Sequence, residues 1–159
     1  MTTIAYDGNI IAADGQVTDD DTITDTEVIK LYNFVTEGGA DVVVAYTGAL
    51  EGKTRFESWA SCQAISDSQE DLWAELELEG LVFEALVVGK NCLSFEEGRH
   101  PSLCHGAQAL GNGAKFALAA MKCGKNAIEA VEIASQLDIY TGGKITAYKR
   151  DGSKWILID

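Results

Sequence analysis

Met1-Thr2-Thr3-Ile4-Ala5-Tyr6-Asp7-Gly8-Asn9-Ile10-Ile11-Ala12-Ala13-Asp14-Gly15 opens the chain. Two short apolar runs, Thr3 to Tyr6 and Asn9 to Ala13, flank an Asp-Gly pair, the strongest short-range hairpin signal. Directly behind Met1 stands Thr2, small enough for the Met normally to be clipped off. Clipping leaves a hydroxyl and a free α-amine on one residue. The reference pKa of such an amine is about 8, so part of it is neutral at working pH and can take the hydroxyl proton. That makes a nucleophile carrying its own general base. A Met-Thr start by itself is no signal, so the rest of the chain must support this reading.

The sequence has 159 residues, 47% of them apolar and 23% charged. That is enough for a proper core in one domain, taken here as residues 1–159. No apolar run approaches the roughly 20 residues of a membrane span, and no basic-then-apolar leader opens the chain. The expectation is a soluble, cytoplasmic protein. Twenty-five acidic against twelve basic side chains give a net charge of −13, which argues against nucleic-acid binding, since that needs a basic patch. Asp19-Asp20-Asp21, Asp25 and Glu27 read first as a solubilising surface and second as the lining of a substrate approach. Cys62, Cys92, Cys104 and Cys123 have no disulfide or zinc-knuckle spacing and are expected reduced. His100, Cys104 and His105 share one loop but have no fourth ligand, so neither a metal nor another cofactor is expected.

In chain order, the acidic loop follows the first hairpin, and a strand is expected over Val28 to Phe34. Asp41 to Tyr46 carries a continuous apolar run, the pattern of a strand buried on both faces. Glu51 to Ser66 has helical spacing of Phe56, Trp59, Ala60 and Gln63. A shorter helix is expected over Gln69 to Leu78, with Ser68 as N-cap. Strands follow over Leu81 to Val88, Cys92 to Phe95 and Ala107 to Leu110. Ala114 to Cys123 is a helix closed by Gly124. Asn126 and Glu129 form a capping box for the next helix, whose apolar stripe is Ile128, Val131, Ala134 and Leu137. Lys144 to Lys149 and Lys154 to Ile158 pair through Asp151-Gly152. Helices grouped in pairs among antiparallel strands predict an α+β layered sandwich rather than alternating βαβ units.

These local sequences, in this order, resemble the proteasome β-subunits and the bacterial HslV peptidase, N-terminal nucleophile (Ntn) hydrolases that use a threonine. The resemblance runs over nearly the whole chain. Met1-Thr2-Thr3-Ile4 resembles the HslV start, and Ile11-Ala12-Ala13-Asp14-Gly15-Gln16-Val17-Thr18 the family's apolar–Ala–x–Asp–x–x–x–Thr segment. Lys30 falls at the family's active-site lysine, and Tyr46-Thr47-Gly48-Ala49 at its oxyanion-hole segment. Gly111-Asn112-Gly113 stands at Gly-Ser-Gly, and Asp138-Ile139-Tyr140-Thr141-Gly142-Gly143 resembles Asp-x-Tyr-Ser-Gly-Gly. The resemblance implies a four-layer αββα sandwich of antiparallel sheets.

It also implies roles. Thr2 Oγ attacks a peptide carbonyl, and Lys30 supplies positive charge beside it, kept charged by Asp14. The Gly48 N–H stabilises the oxyanion, while Asp138 and Thr141 orient the Thr2 amine. Asn112 replaces a serine that contacts that amine; it is bulkier, but its amide both donates and accepts. Thr18 aligns substrate as an added strand, and Val17, Val28, Tyr46 and Ala49 line the pocket before the cut. The implied protein is a threonine endopeptidase in a closed homo-oligomeric ring, acting on unfolded polypeptide, with an unfoldase ATPase as a plausible feeder. Taken one by one, the same residues have plainer readings: Asp14-Gly15 as a turn, Lys30 as an edge-strand gatekeeper, Asp138 as a solvated helix end. Two alternatives stay open, a catalytically inactive ring-forming or binding protein and an Ntn hydrolase of small amides.

Overall fold

The computed structural model describes residues 2–36, 38–62, 82–96 and 101–158. Among them are twelve strands and three helices. In chain order these are β1 (Thr3–Tyr6), β2 (Ile10–Ala13), β3 (Val17–Asp19), β4 (Thr22–Asp25), β5 (Leu31–Val35), β6 (Asp41–Gly48) and α1 (Leu50–Cys62). There follow β7 (Phe83–Val88), β8 (Cys92–Glu96), β9 (Ser102–Leu103), β10 (Gln108–Gly111), α2 (Ala114–Lys122), α3 (Ala127–Leu137), β11 (Thr146–Asp151) and β12 (Lys154–Ile158). One five-stranded sheet has the order β10-β1-β2-β11-β12, a second the order β5-β6-β7-β8-β9, and β3-β4 is a separate hairpin. All pairings are antiparallel.

Side-chain alternation explains how the sheets are covered. In β6, Val43 and Ala45 join Ile4, Ile11, Leu86 and Val88 in one buried cluster drawn from both large sheets. Val42, Val44 and Tyr46, on the other face of the same strand, pack with Phe56 and Ala60 of α1. Successive residues of a strand point to opposite faces, so a continuous apolar run is what a strand with two covered faces requires. The first sheet behaves alike. Ile4, Ile11 and Ala13 face the shared cluster, whereas Ala5, Ala12 and Ala147 face α2 and α3. Those three alanines are cross-strand neighbours in register. They meet Ala117, Ala120, Ala127, Ala130 and Ala134, so small residues on both sides let the helices lie close to the sheet. Each fully buried Val, Ile, Leu or Phe of these clusters contributes about 1.5–3 kcal/mol.

The first hairpin forms where expected. Asp7 Oδ1 accepts from the N–H groups of Asn9 and Ile10, both at 2.8 Å. Its Oδ2 accepts from Ala127 N–H at 2.9 Å, tying the turn to the start of α3. The capping box of Asn126 and Glu129 is complete, with both bonds at 3.0 Å.

Several expectations are corrected. The acidic stretch is a hairpin, β3–β4, with Asp20 at φ 48° in its turn. Residues 28–30 are not strand; β5 begins at Leu31, so Lys30 sits in the segment leading into it. β6 runs on to Gly48, and β9 was not foreseen. Leu137 is 59% exposed and takes no part in the buried stripe of α3. The expected helix over Gln69 to Leu78 lies outside the described residues, as do 63–66 of the first helix. Among the described residues no helix is long and apolar enough to cross a membrane.

Candidate active site

The C-terminal end of β2 and the segment before β11 come together around one carboxylate. Asp14 follows the last residue of β2 and is 1% exposed. Its Oδ1 accepts from Lys30 Nζ at 2.9 Å and from Thr3 N–H at 2.8 Å. Its Oδ2 accepts from Gly142 N–H at 3.0 Å. Lys30, 5% exposed, also donates to the Gln16 carbonyl at 2.6 Å. Burial pushes the Lys30 ammonium below its ordinary range, and the charge of Asp14 and its hydrogen bond oppose that fall. A buried ammonium is tolerated only when paired and hydrogen-bonded, which is what Asp14 and the Gln16 carbonyl provide.

Backbone bonds hold the two segments side by side. Gly15 N–H and Gln16 N–H both donate to the Gly142 carbonyl, at 3.1 and 2.9 Å. The Gln16 amide reaches across to the Ile139 carbonyl at 2.9 Å and to Thr18 Oγ1 at 3.3 Å.

A second chain of bonds runs through hydroxyls. Thr141 Oγ1 donates to Asp138 Oδ2 at 2.5 Å, so its single proton is committed there. The 2.6 Å contact between Thr3 Oγ1 and Thr141 Oγ1 must then have Thr3 as donor, since each hydroxyl has one proton. Thr3 Oγ1 in turn accepts from Gly113 N–H at 2.9 Å. The order is Gly113 N–H to Thr3 to Thr141 to the Asp138 carboxylate, a polarised chain.

Thr2 lies one residue before Thr3 and is 7% exposed. Its carbonyl accepts from Asn112 N–H at 3.0 Å. Gly111, at φ +86°, approaches so closely that a Cβ there would stand 1.8 Å from the Thr2 carbonyl oxygen. Glu84 Oε2 of β7 accepts from Gly111 N–H at 3.1 Å, linking the second sheet to the edge strand of the first. Gly48 and Asn112 line one cleft of about 480 Å³, shared with Thr47, Val82, Glu84 and Glu96.

Of the residues expected from sequence, Asp14, Lys30, Asp138 and Thr141 are joined through Thr3, and Thr2, Asn112 and Gly48 lie at the same end of the sheets. Thr18 is placed beside them by Gln16, and Val17 precedes it in β3. Val28 is half-buried, and its N–H donates to the Gly15 carbonyl at 3.0 Å. Tyr46 is set apart. Its ring stacks on Phe83 at 5.7 Å and contacts Phe56, on the α1 side of the second sheet, and its hydroxyl donates to the Ala49 carbonyl at 2.8 Å. Burial there pushes its phenol up to about 12. Sequence reading missed Thr3, Gln16, Gly113 and Glu84. Thr3, Gln16 and Gly113 each lay in a segment that carried the resemblance, at the chain start, the Asp14 segment and Gly111-Asn112-Gly113, whereas Glu84 had no signal. Among the described residues, no group of three His, Cys, Asp or Glu side chains is arranged to hold a metal; His100 lies outside them.

No family model matches the chain, and no curated protein matches it. Among solved structures, the fold is similar to Thiobacillus denitrificans BPH in complex with epoxomicin, with a TM-score of 0.67 and 18% identity. The likeness covers 94% of this chain and 97% of that chain. It is a likeness of fold. The mixed α/β arrangement of three antiparallel sheets and three helices among the described residues is compatible with an Ntn-type sandwich.

Proposed function

We propose that the chain is a threonine peptidase of the HslV and proteasome β-subunit kind, built as a four-layer αββα sandwich. Thr2 is its nucleophile once Met1 is removed. The observation that carries this reading is the buried Asp14 carboxylate, which takes Lys30 Nζ and Thr3 N–H on the same oxygen. A buried cation is thereby fixed within one residue of the N-terminal hydroxyl. The layering is supported by three clusters, one between the two large sheets and one on the outer face of each, under helices. The solved structure of similar fold, Thiobacillus denitrificans BPH, is in complex with epoxomicin, so this fold is one that holds a bound small molecule.

In this reading the Thr2 α-amine takes the proton of the Thr2 hydroxyl as Oγ attacks the peptide carbonyl. The Lys30 charge favours the developing alkoxide, and Asp14 holds that charge in place. Gly48 contributes its N–H to the oxyanion. Asp138, through Thr141 and Thr3, fixes the first residues of β1 and so the position of the amine, with Asn112 beside it in the cleft. Val17, Thr18, Val28, Tyr46 and Ala49 shape the approach, Tyr46 from behind as a core residue that fixes Ala49. A closed homo-oligomeric ring in the cytoplasm, fed with unfolded polypeptide and served by an unfoldase ATPase, completes the proposal.

The test compares protein that has lost Met1, verified by intact mass, with protein that retains it. Fluorogenic peptide hydrolysis by the Met1-free form alone supports the reading. No hydrolysis by either form moves the inactive ring forward, and hydrolysis by a monomer confined to small amides moves the amide hydrolase forward.

A further inference from the structure

β8 and β9 pair with Leu93 opposite Leu103, a register that sets Cys92 opposite Cys104. The Cys104 N–H donates to the Cys92 carbonyl at 2.8 Å. Residues directly opposed in an antiparallel pair have Cα atoms about 4.5–5.5 Å apart, inside the roughly 4.4–6.8 Å that a disulfide spans. Both cysteines are free, Cys92 buried and Cys104 half-exposed.

The pair opens on a cleft of about 270 Å³ at the end of the sheets remote from Thr2. Lys90, His105, Tyr6 and Gly8 line it together with the two cysteines. The Arg150 guanidinium adds positive charge near Cys92. Reactive thiols occupy such electropositive, partly exposed places. The adjacent Cys92 thiol and the Ser94 hydroxyl draw the Cys104 thiol below its ordinary range, against its burial. The neighbouring Cys104 thiol and burial push the Cys92 thiol up. In its thiol form Cys104 has only a long 3.9 Å contact to the Ser102 carbonyl.

We propose that Cys104 and Cys92 form a peroxide-reactive dithiol, Cys104 attacking and Cys92 resolving. The Cys104 thiolate attacks one oxygen of hydrogen peroxide, the O–O bond breaks, and the other oxygen leaves as water after taking a proton. Cys104 is then a sulfenic acid. The Cys92 sulfur attacks the Cys104 sulfur, and the hydroxyl leaves with the Cys92 proton as a second water. Two thiols are oxidised to one disulfide, and one peroxide is reduced to two waters. The product staples the two-residue strand β9 to β8, and an added dithiol reverses it by exchange.

The experiment treats the full chain with one equivalent of hydrogen peroxide, then reads intact mass and a non-reducing peptide map. Expected are a loss of two hydrogens, a peptide linking Cys92 to Cys104, and full reversal by dithiothreitol. Cys104→Ser is expected to lose no hydrogens, whereas Cys123→Ser behaves like the parent. Oxygen accumulating on Cys104 without a link would overturn the proposal. So would a link to Cys62, Cys123 or another copy. The parent map decides the matter even if a variant folds poorly.

Discussion

Lys30 Nζ stands 2.9 Å from Asp14 Oδ1, with 6% of the lysine side chain and none of the aspartate side chain exposed. Removing one partner of such a pair strands a buried charge, at a cost of about 3–5 kcal/mol. Lys30→Met is therefore expected to lower unfolding free energy by that amount in urea, and adding Asp14→Asn should recover part of it. A loss under about 1 kcal/mol would mean that the pair is not closed to water.

The depressed Lys30 pKa gives a signed pH prediction. Between its folded value and the ordinary 10.5, the unfolded chain binds more protons than the folded one. The Lys30 contribution to stability therefore rises with pH in that window. In the proposed mechanism catalysis needs that charge, so the rate is expected to fall in the same window. The peptidase rate is expected to climb as the Thr2 amine deprotonates, at about pH 8, and to decline before pH 10.5 while stability attributable to Lys30 does not. A rate level up to pH 10.5 would exclude a charged Lys30 from the reaction.

Thr3 is expected to matter as a positioning residue. Thr3→Val removes the donor to Thr141 and leaves the buried Gly113 N–H without its acceptor, a cost of about 1–3 kcal/mol. Thr3→Ser keeps the hydroxyl and should restore both stability and kcat. Equal behaviour of the two variants would remove the hydroxyl chain from the account.

Gly111 and Gly124 both have positive φ, +86° and +92°, but only Gly111 has backbone in the way. Gly124→Ala should cost about 1–2 kcal/mol for the left-handed conformation alone. Gly111→Ala must also push Thr2 aside, so it should cost clearly more in thermal unfolding and abolish activity. Comparable losses for both would show that the approach to Thr2 is not tight.

Local chemistry made much of the fold legible. Asp7-Gly8, Asp151-Gly152 and the Asn126–Glu129 box state their turns and cap in adjacent residues, and the run from Val42 to Tyr46 states its two covered faces. The β3–β4 hairpin was hidden because its carboxylates mask the alternation of Val17, Ile23 and their neighbours. Leu137 fits the helical spacing of α3, but that stripe runs off the sheet at the last turn. In the site, Asp14, Lys30 and Asp138 were recognisable by order and type. Thr3 was not, because a hydroxyl in a strand carries no sign of what it faces; Gly113 and Thr141 meet it from 110 and 138 residues away. Tyr46 shows the converse, a position assigned by likeness whose ring is held instead by Phe83 and Phe56.

The central claim is that Thr2 is the nucleophile, and the most direct measurement compares fluorogenic peptide hydrolysis by Met1-free parent protein and its Thr2→Ala variant. The account predicts hydrolysis by the parent and a fall of at least about 1000-fold in the variant, with size in solution unchanged. Undiminished hydrolysis by Thr2→Ala would contradict it.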